Sequence, residues 1–341
     1  MEIGRTALRA ASALAFFAAA CLAGAGAGRK PEPSHAAGME AGAQDMRQES
    51  TPPKRYGIVN LPVNYLREAP DYCSPLETQV LMGTAVEIVG ESGYWLQVTT
   101  PEPYTAWCTN LGITEITPEQ AEEYAGAAKY ICTAWRTAVM SEPSGKSAKL
   151  CDILEGCTMR ISAAESRGGR MRAIVKKGFA EVILPDGRKG YAAAADVQEY
   201  GRWKETRTRK AGDIIAEAMK YIGLPYMWGG ASPNGVDCSG LVRQAFMMNG
   251  ICLPRNASQQ ALLGEEIPAD RLMPADLLFF GRLREDGTPA VTHVGIYIGD
   301  GRFIHASHSV RINSVDPDDE DCYENIHKLL FCRRMPGVLL K

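Results

Sequence analysis

The sequence predicts a chain of several domains, with small all-β units in front and a mixed α and β unit behind. Three observations predict it. The chain has 341 residues, more than one ordinary domain needs. Short strand-like runs broken by turn residues fill Tyr56 to about Ile116 and recur more loosely up to about Gln198. From Ala211 onward the pattern becomes helix, glycine-rich loop, second helix and alternating strands. A formal net charge of -3 gives no general basic field, so nucleic acid is not expected as a partner.

Residues 1–28 read as an export signal. Arg5 and Arg9 precede an apolar, Ala-rich stretch from Ala10 to Leu22, and small residues follow through Gly28. The apolar part is short for a membrane span. Cys21 follows three alanines and is a candidate for lipidation and membrane attachment, although the usual Leu three positions before it is missing. The expected location is the periplasm or cell envelope. Residues 29–54, rich in Pro, Gly, Ala, Glu and Gln, read as a flexible linker. Leaving aside Cys21 and Cys238, the remaining cysteines are Cys73, Cys108, Cys132, Cys151, Cys157, Cys252, Cys322 and Cys332. An oxidising compartment permits disulfides, but no regular spacing assigns any. Cys151 and Cys157 are too far apart for a zinc knuckle, and with only five His no metal site or cofactor is expected.

The first β unit spans 55–116, a linker helix 117–128, the second β unit 129–200 and a polar, basic connector 201–210. The run VNYLREAPDYCSPLETQVLMGTAVEIVGESGYWLQVTTPEPYTAWC resembles a bacterial SH3-like domain, through its N-Y-L-R opening, L-M-G-T turn, G-x-W-x-x-V strand and closing Tyr-x-x-Trp. The second unit matches more weakly, through AVMSEPSGKSAKLCDILEGCTMRI and DGRKGYAAAADV.

The chemistry lies in 211–341. Ile214, Ile215, Ala218, Tyr221 and Ile222 recur at helical spacing, and Gly223 and Pro225 end that helix. Gly229 to Gly235 reads as an irregular loop. Leu241, Val242, Ala245 and Phe246 then form an apolar helical stripe, which sets Cys238 at a helix N-terminus with Asp237 or Ser239 near the cap. The positive end of the helix dipole favours a thiolate, and free N–H groups there can receive an oxyanion. A lone Cys at such a place is more often buried and inert; the histidines downstream reverse that reading. In VTHVGIYIGDGRFIHASHS, alternation marks a strand, a Gly299-Asp300-Gly301 turn and a returning strand. His293 on that strand is a candidate base for Cys238, and a third polar group would orient it. A two-residue Asp300-Gly301 turn sets His293 opposite His308. A three-residue loop sets it opposite His305 and pairs Val294 with Ile304. The apolar pair favours His305.

The blocks YMWGGASPNGVDCSGLV, PRNASQQ, MPADLLFFG and THVGIYIGDGRFIHAS, in that order, resemble the NlpC-type cysteine peptidases. With SH3-like units in front, the chain is similar to the γ-D-glutamyl-L-diamino acid endopeptidases, or dipeptidyl-peptidase VI. The resemblance implies two small all-β SH3-like barrels followed by an α+β papain-like cysteine peptidase domain. It also implies a Cys238, His293, His305 triad, a thioester intermediate and peptidoglycan stem peptides as substrate. A monomer without a cofactor is expected. Tyr104, Tyr226, Trp228, Asp237, Ser239, Arg255, Asn256 and Ser258 match cleft positions of the family. Rivals on the same scaffold are an amidase or acyltransferase, and a wall-binding protein without catalysis.

The family block often reads P-R-D-S-S-Q, its Asp binding the free amine of the terminal L-Ala. Here Asn256 stands in the Asp position. The acid of the usual S-E-x-V-x-Q run is missing or displaced in Ser74-Pro75-Leu76-Glu77-Thr78-Gln79. Charge-assisted bonds are about twice as strong as neutral ones, so a weaker demand for a free amine is expected. The acidic stretch Asp316 to Asp321 reads as a solvated loop.

Overall fold

Apolar residues alternating in short runs fold into two successive β units with the same strand order. The computed structural model describes residues 54–165 and 171–340. The export signal, Cys21 and the linker apart from Lys54 lie outside the described residues. In the first unit the strands are β1 (Arg55–Val59), β2 (Val63–Arg67), β3 (Leu76–Leu81), β4 (Ala85–Ser92), β5 (Trp95–Thr99), β6 (Thr105–Thr109) and β7 (Ile113–Ile116). They pair in the order β3-β2-β6-β5-β4-β1-β7. Val59, Leu66, Val86, Leu96, Val98 and Ala106 are buried between them.

Helix α1 (Pro118–Gly126) follows as the sequence expects: Thr117 and Gln120 form a capping box, with Pro118 in the first turn. The second unit contains β8 (Lys129–Cys132), β9 (Arg136–Met140), β10 (Lys149–Leu154), β11 (Thr158–Ile161), β12 (Ala163–Glu165), β13 (Met171–Ala173), β14 (Val175–Lys176), β15 (Phe179–Ile183), β16 (Lys189–Ala193) and β17 (Val197–Glu199). Its main path is β10-β9-β16-β15-β11-β8-β17, which repeats the first unit strand for strand. Burial of Val63, Leu81 and Met82 in the second core welds the units together.

The connector is less solvated than its charge suggests. It contains α2 (Tyr200–Glu205), whose Trp203 is buried with Ile131 and Met248. In the C-terminal unit, α3 (Ala211–Met219) packs on α4 (Cys238–Met247), and a short α5 (Ala257–Gln260) follows. A small hairpin, β18 (Ala231–Ser232) and β19 (Gly235–Val236), orders part of the segment that reads as an irregular loop. The six-stranded antiparallel sheet runs β20-β25-β21-β22-β23-β24: β20 (Glu265–Ile267), β21 (Leu277–Leu283), β22 (Pro289–Gly299), β23 (Arg302–Ser307), β24 (Ser309–Ser314) and β25 (Leu329–Arg334). Leu277, Phe279, Val294, Ile296 and Ile304 bury one face with α4; Leu278, Phe280 and Phe303 bury the other with Tyr323.

A polar clamp fixes the second β unit to α3. Lys220 Nζ bonds Glu155 at 2.7 Å and Glu217 at 2.6 Å. Burial first, then the neighbouring Glu217, pushes the Glu155 carboxyl up to about 7. A carboxyl raised in the fold adds stability below its unfolded pKa, and that contribution is lost as pH rises through the folded value, here between 4.5 and about 7. Glu155→Gln, which keeps the shape without the charge, is therefore expected to raise the thermal midpoint at pH 8 and to do so by less at pH 5. Circular dichroism melts at the two pH values check this; an equal shift at both would contradict it.

Candidate active site

The helix that carries Cys238 begins where it does because Asp237 caps it. Asp237 has extended backbone, and its carboxylate accepts from the Gly240 N–H at 2.7 Å. The helix start lies hard against the glycine loop: a Cβ on Gly240 would fall 2.0 Å from the Gly230 carbonyl oxygen. Cys238 is buried, at 7% exposure. The backbone N–H groups of Val294, next to His293, and of Ser239 act on its sulfur. Burial, followed by the charge of Asp237, pushes the thiol up to about 12.

Arg255 locks this helix start in place. Its guanidinium bonds both oxygens of Asp237, at 3.0 and 2.5 Å, and Ser239 Oγ at 3.0 Å. Its Nε reaches Thr78 Oγ1 on β3 at 2.8 Å, so the first β unit joins the site. A second strut comes from Gln79, whose side-chain oxygen accepts from Ala231 N at 3.0 Å and Ser232 Oγ at 2.6 Å.

The histidines come from neighbouring strands, in a register that matches neither expected pairing. Asp300 and Gly301 both have positive φ, 51° and 70°, and form the two-residue turn that pairs Gly299 with Arg302. A bulge between Tyr297 and Gly299 then shifts the register, so that Ile296, not Val294, faces Ile304. Continued along the strands, that register sets His305 opposite Gly295, diagonally across from His293. Diagonal neighbours remain within reach of aromatic side chains. Gly295 has no room for a side chain: a Cβ there would meet the Phe303 ring at 2.5 Å and His305 Cβ at 3.2 Å. His293 Nε2 and His305 Nδ1 are hydrogen-bonded at 2.8 Å. His305 is fully buried, and its Nε2 bonds Asn313 Oδ1 at 2.9 Å. Burial lowers His293 to about 3, with His305 and Arg311 adding to it, and lowers His305 to about 4. Tyr323 contacts both rings, at centroid distances of 5.7 and 4.8 Å, and also feels charge at Cys238. His308 instead occupies the tight turn into β24 with φ 60°, its carbonyl accepting from Tyr226 N at 2.8 Å.

The other sequence-derived positions divide. Tyr226, whose phenol is raised by burial first and then by Cys238 and Asp237, packs against the core that includes Cys238. Trp228 is 67% exposed. Tyr104 donates to Glu77 and also bonds Asn256, and its phenol is pushed up to about 12 by burial first and Glu77 second. Asn256 caps α5. Ser258 is exposed on α5, and the bonds that hold this segment run through Gln260, which reaches Ser239 O at 3.1 Å. Sequence reasoning missed Thr78, Gln79 and Asn313. Of the two readings of the acid near β3, missing or displaced, the structure has the displaced one: Glu77 accepts from Tyr104. The period of two carries the signal: Pro75 and Glu77 lie two apart, so an acid moved by two residues keeps its face.

Two stretches of the chain match known families. Residues 223–327 match the NlpC/P60 family and residues 61–113 the bacterial SH3 domain. Residues 223–327 are an NlpC/P60 domain. The chain is 28% identical over 252 residues to a gamma-D-glutamyl-L-lysine dipeptidyl-peptidase of Bacillus cereus, covering 71% of this chain and 70% of that protein. It is 28% identical over 256 residues to dipeptidyl-peptidase 6 of Lysinibacillus sphaericus, covering 72% and 87%. An NlpC/P60 family protein from Bacillus cereus shares the fold with a TM-score of 0.66 and 23% identity, over 82% of this chain and 99% of that one. The expected fold class, SH3-like units before an NlpC/P60 domain, is thereby met.

Gly295→Ala is expected to displace His305 and to lower kcat on the order of a hundredfold, the scale of an ångström-sized misplacement. Steady-state kinetics beside an unchanged far-UV spectrum check this; wild-type turnover would contradict it.

Proposed function

We propose that this chain hydrolyses the bond between γ-linked D-glutamate and an L-diamino acid in peptidoglycan stem peptides, with Cys238 as nucleophile. The observation that carries the reading is the His293–His305 hydrogen bond, formed on strands packed against the helix that starts at Cys238. At neutral pH burial favours the thiol and the neutral imidazole, rather than the standing thiolate the sequence suggests. Attack and proton transfer are therefore coupled: His293 takes the Cys238 proton as the sulfur adds to the γ-carbonyl. The oxyanion is received at the helix N-terminus by the Cys238 N–H, where loss of one donor typically costs about a hundred- to a thousandfold in rate. The imidazolium returns its proton to the departing amine, and water releases the thioester. His305 orients His293.

Asp237, Ser239 and Arg255 serve this reaction by fixing the helix start. Tyr104, Tyr226, Trp228 and Asn256 wall the substrate, and Ser258 has a peripheral place. The substrate is envelope material, and we extend the proposal to export through residues 1–28 and to attachment through a lipidated Cys21; the mass of the mature N-terminus distinguishes a simple cut after Gly28 from a modified Cys21.

Digestion of a defined stem tetrapeptide, and of the same peptide on its muramyl sugar, followed by mass spectrometry, tests the cleavage. The expected products are a dipeptide ending in D-glutamate and a fragment beginning with the diamino acid, and Cys238→Ala yields neither. Release of the peptide from its sugar, or transfer without hydrolysis, would replace the reading with an amidase or an acyltransferase.

Glu77 alters the expectation for the substrate's free end. Its carboxylate, held by Tyr104, offers the negative charge that Asn256 lacks. Wild type is expected to prefer a free amine over its N-acetylated form by roughly tenfold, the scale of a hydrogen bond to a charged group, and Glu77→Gln to lose that preference. Competition between the two substrates measures it; equal wild-type rates would restore the weaker demand.

A further inference from the structure

The hydrogen-bond chain does not end at His305. Its Nε2 bonds Asn313 Oδ1 at 2.9 Å, and Asn313 Nδ2 donates to the backbone carbonyl of Asp321 at 2.7 Å. A carbonyl only accepts, so it fixes which end of the Asn313 amide faces it. The Asn313 oxygen then faces His305, and it too only accepts. His305 Nε2 must carry hydrogen, and in a neutral ring Nδ1 carries the lone pair. That lone pair accepts from His293 Nε2–H. The remaining nitrogen of His293, Nδ1, is left as the proton acceptor.

We infer that Asn313 is a positioning residue that sets the tautomers of both histidines, and that the Asp321 carbonyl anchors the relay. The supporting loop is held independently: Arg302 pairs with the Asp321 carboxylate at 2.5 Å, and Cys322 N bonds Asp319 O at 3.0 Å. The acidic stretch that reads as solvated thus sets the direction in which the site moves its proton. Arg311, Glu324 and Tyr323 are the other titratable groups at the two rings, from β24 and the segment after it. The catalytic consequence rests on the hydrolytic reading above; the tautomers do not.

Long-range 15N NMR of the imidazoles in the whole wild-type chain at pH 7 tests the assignment. The expected result is hydrogen on Nε2 of both rings. Asn313→Ala is expected to give mixed tautomers at both, with kcat down by about ten- to a thousandfold and KM within about twofold. That loss lies short of the roughly ten-thousandfold cost of a triad imidazole in the wrong tautomer. Asn313→Asp keeps the acceptor, so it is expected to restore the Nε2–H signal and to move the acid limb of the pH–rate profile upward. A structural role alone would make both variants alike. Hydrogen on Nδ1 of His305 in wild type, or an unchanged spectrum in Asn313→Ala, overturns the inference. Expected tautomers in a chain that cleaves no stem peptide support the assignment and remove the peptidase reading instead.

Discussion

The site depends on one buried ion pair. Arg255 is 4% exposed and grips both oxygens of Asp237 while reaching Thr78 on the first β unit. Taking two charges out of water is expensive, and the pair is tolerable because its remaining valences are filled. Asp237 also caps α4 and accepts from Gly229 N at 3.1 Å, so one carboxylate joins the glycine loop, the helix of Cys238 and the arginine segment. Removing one partner of such a pair typically costs about 3–5 kcal/mol, because the other charge is left buried and alone. Cys238, the next residue, inherits its position from this lock. The first SH3-like unit is therefore part of the site's frame rather than an appendage.

The two β units share a strand order but have diverged in what they give. The first supplies polar groups to the cleft: Glu77, Thr78 and Gln79 on β3, and Tyr104 just before β6. The second gives position. Its Trp135 packs edge-on against Tyr221 with centroids 4.7 Å apart, and its Glu155 holds Lys220. Both contacts fall on the end of α3, which in turn supports α4.

Much of this was legible in the residues. The Asp237–Cys238 junction, followed by an apolar helical stripe, identified the start of α4, because capping and periodicity are local. The β alternation announced strands for the same reason. The register of the histidine hairpin was not legible. The Asp300-Gly301 turn was readable from its composition, but the bulge beside it leaves no mark in a pattern of apolar and polar residues. His305 was nevertheless the right partner for His293, since both occupy odd positions and a two-residue offset keeps them on one face. Asn313 and the Asp321 carbonyl escaped notice because Asn313 meets His305 only after β24 folds back, and the carbonyl meets Asn313 only after a loop returns, and no spacing encodes a backbone acceptor. The connector misled in the opposite way: its charge concealed Trp203, one apolar residue that buries the segment.

Burial that favours the thiol form of Cys238 has a wider consequence. Thiolates attack peroxides and disulfides, and a buried sulfur kept as a thiol, 7% exposed, reacts slowly with both. In the proposed reaction, ionisation waits until an acyl group arrives, so the chemistry that makes cysteine useful is kept apart from the chemistry that destroys it.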